Sequence, residues 1–227
     1  KSDKSIVVDR SSIADVTIPF NDLQAITATA ANISTAVAEF NASPASDVML
    51  MITEDISAPI TITRADGIID FNGNTVSGNM FLQNNEAGKA VTLKNGTLSA
   101  DLDGKAEWND WYDGTVVLEN MTITGDIFTD GHAYEFISGN YSGNIQNYVA
   151  DGKPGTVVIR DGFFRGSYET YGDHGNKNNC NKGSYTLYGG KYAISPTNAN
   201  QVCASGYSVK GNTGSDSSTY PYIVSED

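Results

Sequence analysis

Six segments of this chain follow one pattern: GIIDFNGNTVSG (67–78), KAVTLKNGTLSA (89–100), TVVLENMTITG (115–125), AYEFISGNYSG (133–143), TVVIRDGFFRG (156–166) and SYTLYGGKYAI (184–194). Each reads apolar, any, apolar, any, two turn residues, any, apolar, any, small. The first turn column runs Gly73, Asn95, Asn120, Ser138, Asp161, Gly189, and the second Asn74, Gly96, Met121, Gly139, Gly162, Gly190. Gly and Asn tolerate positive φ, so these columns mark a corner where one strand bends into the next. Before the corner lie the inward pairs Ile69/Phe71, Val91/Leu93, Val116/Leu118, Tyr134/Phe136, Val157/Ile159 and Tyr185/Leu187. After it come Val76, Leu98, Ile123, Tyr141, Phe164 and Tyr192, and two residues further on Gly78, Ala100, Gly125, Gly143, Gly166 and Ile194. The second turn column advances by 22, 25, 18, 23 and 28 residues. A period in the low twenties, with strands and no helix in the unit, predicts a parallel β-solenoid; a propeller blade needs about twice that length.

The composition agrees: charged residues are 18%, while Gly (23) and Tyr (12) are abundant. Such a chain favours strands and turns over helices and reads as all-β. An open solenoid must be covered at its ends. Leu23, Ile26, Ala30, Ile33, Val37 and Phe40 are spaced by three and four, which predicts an amphipathic lid helix over 22–41, best supported over 34–41, with Asp22 or Ser34 as caps. Before it, SIVVD and VTIPF read as short strands. Tyr207–Val209 and Tyr220–Val224, joined by KGNTGSDSST, read as a closing hairpin. The expected organisation is one continuous domain: strands and capping helix over 1–46, stacked coils over 47–205, closing hairpin over 206–227.

The segments MITEDISAPITITRADGIIDFNGNTVSG, the repeated V-x-L-x-N-G-x-L and GGKYAISPTNANQVCASGYSV resemble the right-handed parallel β-helix of the pectate-lyase-like superfamily. More narrowly, they resemble repeat proteins common on gut bacterial surfaces, over about residues 47–210. The resemblance implies a single-stranded right-handed β-helix of about seven coils between the helical and hairpin caps. It implies no single activity, because the superfamily holds lyases, hydrolases, adhesins and uncharacterised surface proteins.

Beyond the small column, the segments 79–90, 101–115, 126–133, 144–156 and 167–184 differ in length, and variable loops on one edge of a regular scaffold are where solenoids bind. Stacked, they gather Trp108, Trp111 and Tyr112, then Asp130 and His132, Asn147 and Tyr148, and Tyr168, Tyr171, Asp173 and His174. Aromatic faces suit the C–H faces of sugars, and Asp and Asn suit their hydroxyls, so Trp108, Trp111, Tyr112, Tyr148 and Tyr171 are the candidate ligand-binding residues. The alternative is that both tryptophans, which lie together in DLDGKAEWNDWYDG (101–114), cover that loop's own small core. Asp101, Asp103 and Glu107 in the same loop suggest calcium, but the spacing does not continue as an EF-hand loop, and a solvated acidic loop is the simpler reading. No other cofactor is expected. Cys180 and Cys203 stand 23 residues apart, one coil period, which predicts a disulfide between neighbouring turns; two unrelated loop thiols is the alternative.

Catalysis in the superfamily needs a carboxylate cluster with a basic residue, or a pair of aspartates. The outward strand positions Asp70, Thr92, Val117, Glu135, Val158 and Thr186 do not supply the first, and GDHGN (172–176) has no aspartate-pair partner for the second. No catalytic residue is assigned; His132, Asp173 and His174 are kept for the enzymatic alternative alone. Arg160 and Arg165 read as solvated outward residues. The net charge of −13 opposes nucleic-acid binding, and no apolar run has the length to span a bilayer. KSDKS reads as a processed start, so export is expected, with a lipidated cysteine further upstream compatible with it. The leading expectation is a non-catalytic, monomeric, exported bacterial surface protein that recognises a glycan or other cell-surface partner through its loop edge. A polysaccharide lyase or glycoside hydrolase is the first alternative, and a structural spacer the second.

Overall fold

A computed structural model describes residues 24–84, 86–103, 113–129, 131–150, 153–171, 184–196 and 201–227, with the backbone alone described for 103, 148–150, 153–154, 169–171 and 201–202. The protein is all-β with one helix among the described residues. The chain opens with β1 (Gln24–Ala28), α1 (Ile33–Ala42), β2 (Val48–Ile52) and β3 (Ile60–Ile62). It continues through β4 (Gly67–Asp70), β5 (Thr75–Val76), β6 (Met80–Leu82), β7 (Ala90–Leu98), β8 (Leu102–Asp103), β9 (Thr115–Ile123) and β10 (Ile127–Phe128). Next come β11 (Ala133–Phe136), β12 (Gly139–Tyr141), β13 (Ile145–Ala150), β14 (Lys153–Pro154), β15 (Thr156–Ile159), β16 (Phe163–Phe164) and β17 (Tyr168–Tyr171). The last strands are β18 (Ser184–Leu187), β19 (Lys191–Tyr192), β20 (Gln201–Cys203), β21 (Tyr207–Gly211) and β22 (Tyr222–Glu226).

Two sheets hold these strands. The first contains the repeat strands on both sides of the corner, in the order β1-β2-β4-β7-β9-β12-β16-β19-β22-β21, with β11, β15, β18 and β20 continuing it beside β9. The second contains β3, β6, β8, β10, β13 and β17, each parallel to the one before. Each repeat therefore adds a third strand in the stretch expected to be pure loop. Its inward column Ile60, Met80, Leu102, Ile127, Ile145 and Tyr168 is buried, four residues after the inward residue beyond each corner.

The first sheet carries the expected columns with one correction: the first repeat is shifted by two residues, so that Ile69, expected level with Val91, pairs with Leu93, and Gly67 takes the place opposite Val91. Leu50, Ile69, Leu93, Leu118, Phe136, Ile159 and Leu187 are register partners in succession, and all are buried. Beyond the corner the same holds for Val76, Leu98, Ile123, Tyr141, Phe164 and Tyr192. In the later repeats that column becomes an aromatic stack, with Phe164 lying at 5.0 Å from Tyr141 and 5.2 Å from Tyr192. The Tyr141 and Tyr192 hydroxyls donate to the carbonyls of Ser138 and Gly189 at 2.8 and 2.6 Å, so the rings bury no unpaired polar group. Each buried side chain of this size contributes roughly 1.5–3 kcal/mol, against about 0–1 kcal/mol for a surface ion pair, so the columns dominate the stability.

The corner uses three solutions, the first being consecutive positive φ at Asn72 and Gly73 (49° and 82°) in the first repeat. Asn95 and Asn120 take φ of 59° and 52° in the first turn column, and β7 and β9 run through unbroken. In later repeats the positive φ moves one residue on, to Gly139, Gly162 and Gly190 (142°, 136° and 101°), and the strand splits in two. Asn120 donates to Asn95 Oδ1 at 3.2 Å, and Asn95 to Asp70 Oδ1 at 3.3 Å, joining successive corners. The small column has a steric cause. A Cβ on Gly143 would lie 1.9 Å from the Gly125 carbonyl oxygen, and one on Gly166 would lie 1.9 Å from that of Gly143. Beside it runs a second polar ladder: Asp101 Oδ1 accepts from Asp126 N at 2.8 Å, Asp126 Oδ1 from Asn144 N at 2.8 Å, and Asn144 Oδ1 from Ser167 N at 3.0 Å.

The ends differ from expectation in detail. The helix begins at Ile33; residues 24–28 of the expected helix form β1, where QAITA pairs in parallel with β2 and buries Ile26 and Ala28. The β-branched Ile26 and Thr27 suit that strand. Asn32 holds the N-cap position without a capping bond, Ser34 lies inside the helix, and Asp22 is outside the described residues, as are SIVVD and VTIPF. The lid works through Asn41, whose amide donates to Thr61 O and accepts from Thr63 N, both at 3.0 Å, imitating a strand on the edge of β3. Arg64 ties the helix terminus down by donating to Phe40 O at 2.8 Å and Ala45 O at 2.9 Å. At the other end β21 and β22 form an antiparallel hairpin that pairs with β19. Pro196 stands buried at the second-sheet phase, four residues after Tyr192. Proline has no N–H for a ladder, and among the described residues the second sheet ends at β17.

Of the two cysteines expected to pair, only Cys203 lies among the described residues. One turn before Cys203 stands Leu187, only 16 residues back, so Cys203 fills an inward core position as a half-buried free thiol. Cys180 lies outside the described residues.

Gly143→Ala should lower stability by about 1–3 kcal/mol, because the new methyl has only backbone to displace. Ser142→Ala, one residue away and exposed, should stay within about 0.5 kcal/mol of the parent. Denaturant unfolding of the two variants side by side measures the difference; equal midpoints would show that the turns do not stack this closely.

Candidate functional site

Every second-sheet strand is followed by the connection that returns the chain to the first sheet, and these connections are the parts that vary in length. Because successive strands are parallel and in register, the connections after β6, β8, β10, β13 and β17 leave along one edge of the stack. The expected loop edge is therefore confined to the stretches after the second-sheet strands.

Buried polar side chains hold the roots of these connections. Asn84, Thr129, His132 and Asn147 are each 0% exposed. Asn84 Nδ2 donates to Thr115 O at 3.2 Å, and its backbone carbonyl accepts from Gly114 N at 3.3 Å, which closes the base of the 104–114 connection. Thr129 Oγ1 donates to Asn147 Oδ1 at 2.9 Å. Asn147 Nδ2 then donates to Gly155 O at 3.2 Å and Ser184 O at 3.1 Å, gathering the starts of β15 and β18. Each of Asn84, Thr129 and Asn147 sits two residues beyond an inward apolar residue of its strand (Leu82, Ile127, Ile145) and so faces the interior. A polar residue at inward parity next to a strand end was the signal in the sequence, hidden because the third strand was not recognised.

His132, expected on the exposed edge, is part of this buried layer. Its Nδ1 lies 3.1 Å from Thr129 O and its Nε2 3.1 Å from Asn84 O, with the Tyr134 ring edge-on at 6.2 Å. Burial pushes its pKa down to about 4, against the two carbonyls and Asp113, which favour the charged form. The neutral imidazole carries one N–H, which one of the two carbonyls accepts, and the ring has no face toward solvent, so His132 is a structural residue.

The other candidates divide as follows. Tyr168 is core, 6% exposed, packed against Phe164, Tyr185 and Tyr192. Tyr148, within β13, and Tyr171, at the end of β17, are register partners, so their backbones stand about 4.8 Å apart. Asp101 spends Oδ1 on the Asp126 amide within the polar ladder, and Asp103 is in β8. Among the described residues no group of three or more His, Cys, Asp or Glu is placed to hold a metal ion. Trp108, Trp111, Tyr112, Glu107, Asp130, Asp173 and His174 lie outside the described residues. Arg160 and Arg165 are exposed but partnered: Arg160 Nε donates to Glu135 Oε1 at 2.8 Å with its guanidinium 4.3 Å from the Tyr188 ring, and Arg165 Nε donates to Tyr220 OH at 3.0 Å.

No protein-family model, no curated protein and no solved structure matches this chain. Among the described residues no helix is long and apolar enough to cross a membrane.

The His132 environment sets a pH dependence. In the unfolded chain the ring takes its proton near 6.5, in the folded protein near 4. Between those values the unfolded state binds more protons, so stability is unaffected above pH about 6.5, declines as pH falls through that window, and is flat below it. The loss is on the order of 3 kcal/mol. Of the chain's two histidines, NMR titration should find one still neutral at pH 5; two titrations near 6.5 would show that His132 is not held as described.

Proposed function

We propose that the stacked repeats form a right-handed parallel β-helix, and that the protein is a non-catalytic, exported surface protein that binds a glycan or other cell-surface partner through the loop edge. The handedness follows the rule that crossovers between parallel strands of one sheet are right-handed. The stacked columns, the helical lid and the C-terminal hairpin support the β-helix, and the motif resemblance to repeat proteins of gut bacterial surfaces supports the surface role.

The observation that carries the binding reading is the arrangement of the variable connections. They emerge on one edge of a rigid stack, their roots held by Asn84, Thr129 and Asn147, and they include the sequence stretch with both tryptophans. Rigid elements presenting variable loops are a general architecture for recognition. Against the lyase or hydrolase alternative stands His132, which is sealed from substrate by burial and by its two carbonyl contacts.

Intrinsic fluorescence tests the reading, because Trp108 and Trp111 are the chain's two tryptophans. Titration with a panel of polysaccharides should give a saturable emission shift that Trp111→Ala abolishes in a folded protein. A blue, quencher-insensitive emission that no polysaccharide alters would mean the rings cover the loop's own core. New reducing ends or unsaturated sugars on incubation would establish catalysis instead.

A further inference from the structure

The face of the first sheet beyond the corner carries a grid of hydroxyl side chains that neither the core nor the loop edge uses. Thr75, Thr97, Thr122 and Asn140 are register partners on successive strands, each preceding a buried residue of the inward column and so facing outward. Two residues on along each strand, Ser77, Ser99, Thr124 and Ser142 form a second, exposed row, held in step by backbone bonds such as Ser99 N to Val76 O at 2.8 Å and Thr124 N to Leu98 O at 3.0 Å. Among the described residues the side chains of this grid have no hydrogen-bond partner, apart from Ser77 Oγ, which reaches Ile56 O at 3.4 Å.

Three properties define what would bind there. The spacing is regular, with steps of about 4.8 Å across strands and roughly 6.6 Å along them, on a hydrogen-bonded sheet that holds it rigid. Its ligand is therefore extended and repeating. The eight grid residues hold no charge in a chain of net charge −13; of the charged residues at its border, Asp55, Asp101 and Asp126 direct carboxylate oxygens to backbone amides, Lys191 pairs with Asp216, and Arg165 donates to Tyr220 OH. Nothing in it pairs with an anion, and the surrounding negative charge repels one. Hydroxyls both donate and accept, which matches a ligand that is itself hydroxylated. The Thr column leads past Asn140 to Phe163, whose half-buried ring packs 5.3 Å from Tyr220 and has Lys191 Nζ 5.4 Å from its centre.

We infer that this grid is a binding surface for a linear neutral polysaccharide lying along the stack, across the strands from Thr75 toward Phe163. It is a different surface from the loop edge and does not depend on the tryptophans.

Retention of the full chain on insoluble cellulose, xylan and chitin, with polygalacturonate as the anionic control, tests the inference. Thr97→Val with Thr122→Val deletes two hydroxyls while keeping side-chain shape and strand preference, so the unfolding midpoint should hold. Retention on a neutral polysaccharide should fall about tenfold in that variant. Thr97→Ser with Thr122→Ser, which keeps both hydroxyls, should restore it. Equal retention of the Val variant and the parent, or no retention of the parent on any neutral polysaccharide, would overturn the inference. A Trp108→Ala, Trp111→Ala variant separates the two surfaces: loss there with the Val variant unaffected overturns the grid and leaves the loop edge standing, whereas loss in the Val variant alone supports the grid and removes the loop edge.

Discussion

Everything in this structure depends on backbone hydrogen bonding between one repeat and the next. A single repeat of some twenty residues has no core of its own; its apolar side chains are buried only by the repeats above and below. Parallel register imposes two demands. Like must lie on like, which produces the column from Leu50 to Leu187 and the Tyr141–Phe164–Tyr192 stack. Turns that stack at strand spacing also leave no room for a side chain, hence glycine at 125, 143 and 166, each against the carbonyl of the turn before.

The same register governs the polar groups. Corners and turns expose backbone amides that the sheets do not satisfy, and side chains at fixed phases take them up, with Asp101, Asp126 and Asn144 each accepting from the next repeat. At the loop roots the bonding turns inward, where Asn84, Thr129, His132 and Asn147 replace apolar packing with a bonded layer. Its physical effect is to fix where variable connections leave and re-enter a scaffold that cannot itself vary. Groups that looked chemically capable in isolation, His132 and Asp101 above all, are committed to this work. Beyond the corner the outward row Thr75, Thr97, Thr122 and Asn140 stays uncommitted, and it is neutral and polar.

How much could be read in advance differs by residue. The inward pairs and the corner were legible because alternation and positive-φ residues leave direct marks: Val91/Leu93, Val116/Leu118 and Asn95 all fall where the pattern puts them. The second sheet was not. Its strands β8 and β10 are two residues long, too short for alternation to register, and they become visible only as the column Leu102, Ile127, Ile145 in three dimensions. That omission displaced the site, since His132, Asn147 and Tyr168 were assigned to a surface when the missing strands carry their neighbours inward. The core position of Cys203 was hidden for a related reason. A mean period near 23 hides the 16-residue step from Leu187 to Cys203.

The sequence by itself determined the repeat, the all-β class, the identity of the core columns and the need for small residues at the turns. Those properties are enforced position by position, through strand parity, allowed φ and the volume beside a neighbouring backbone. Only the tertiary structure decided which polar side chains are buried, that residues 24–28 join a sheet instead of the helix, and which outward rows stand free in register. Those outcomes depend on what lies one repeat away in space, at sequence separations that vary from turn to turn.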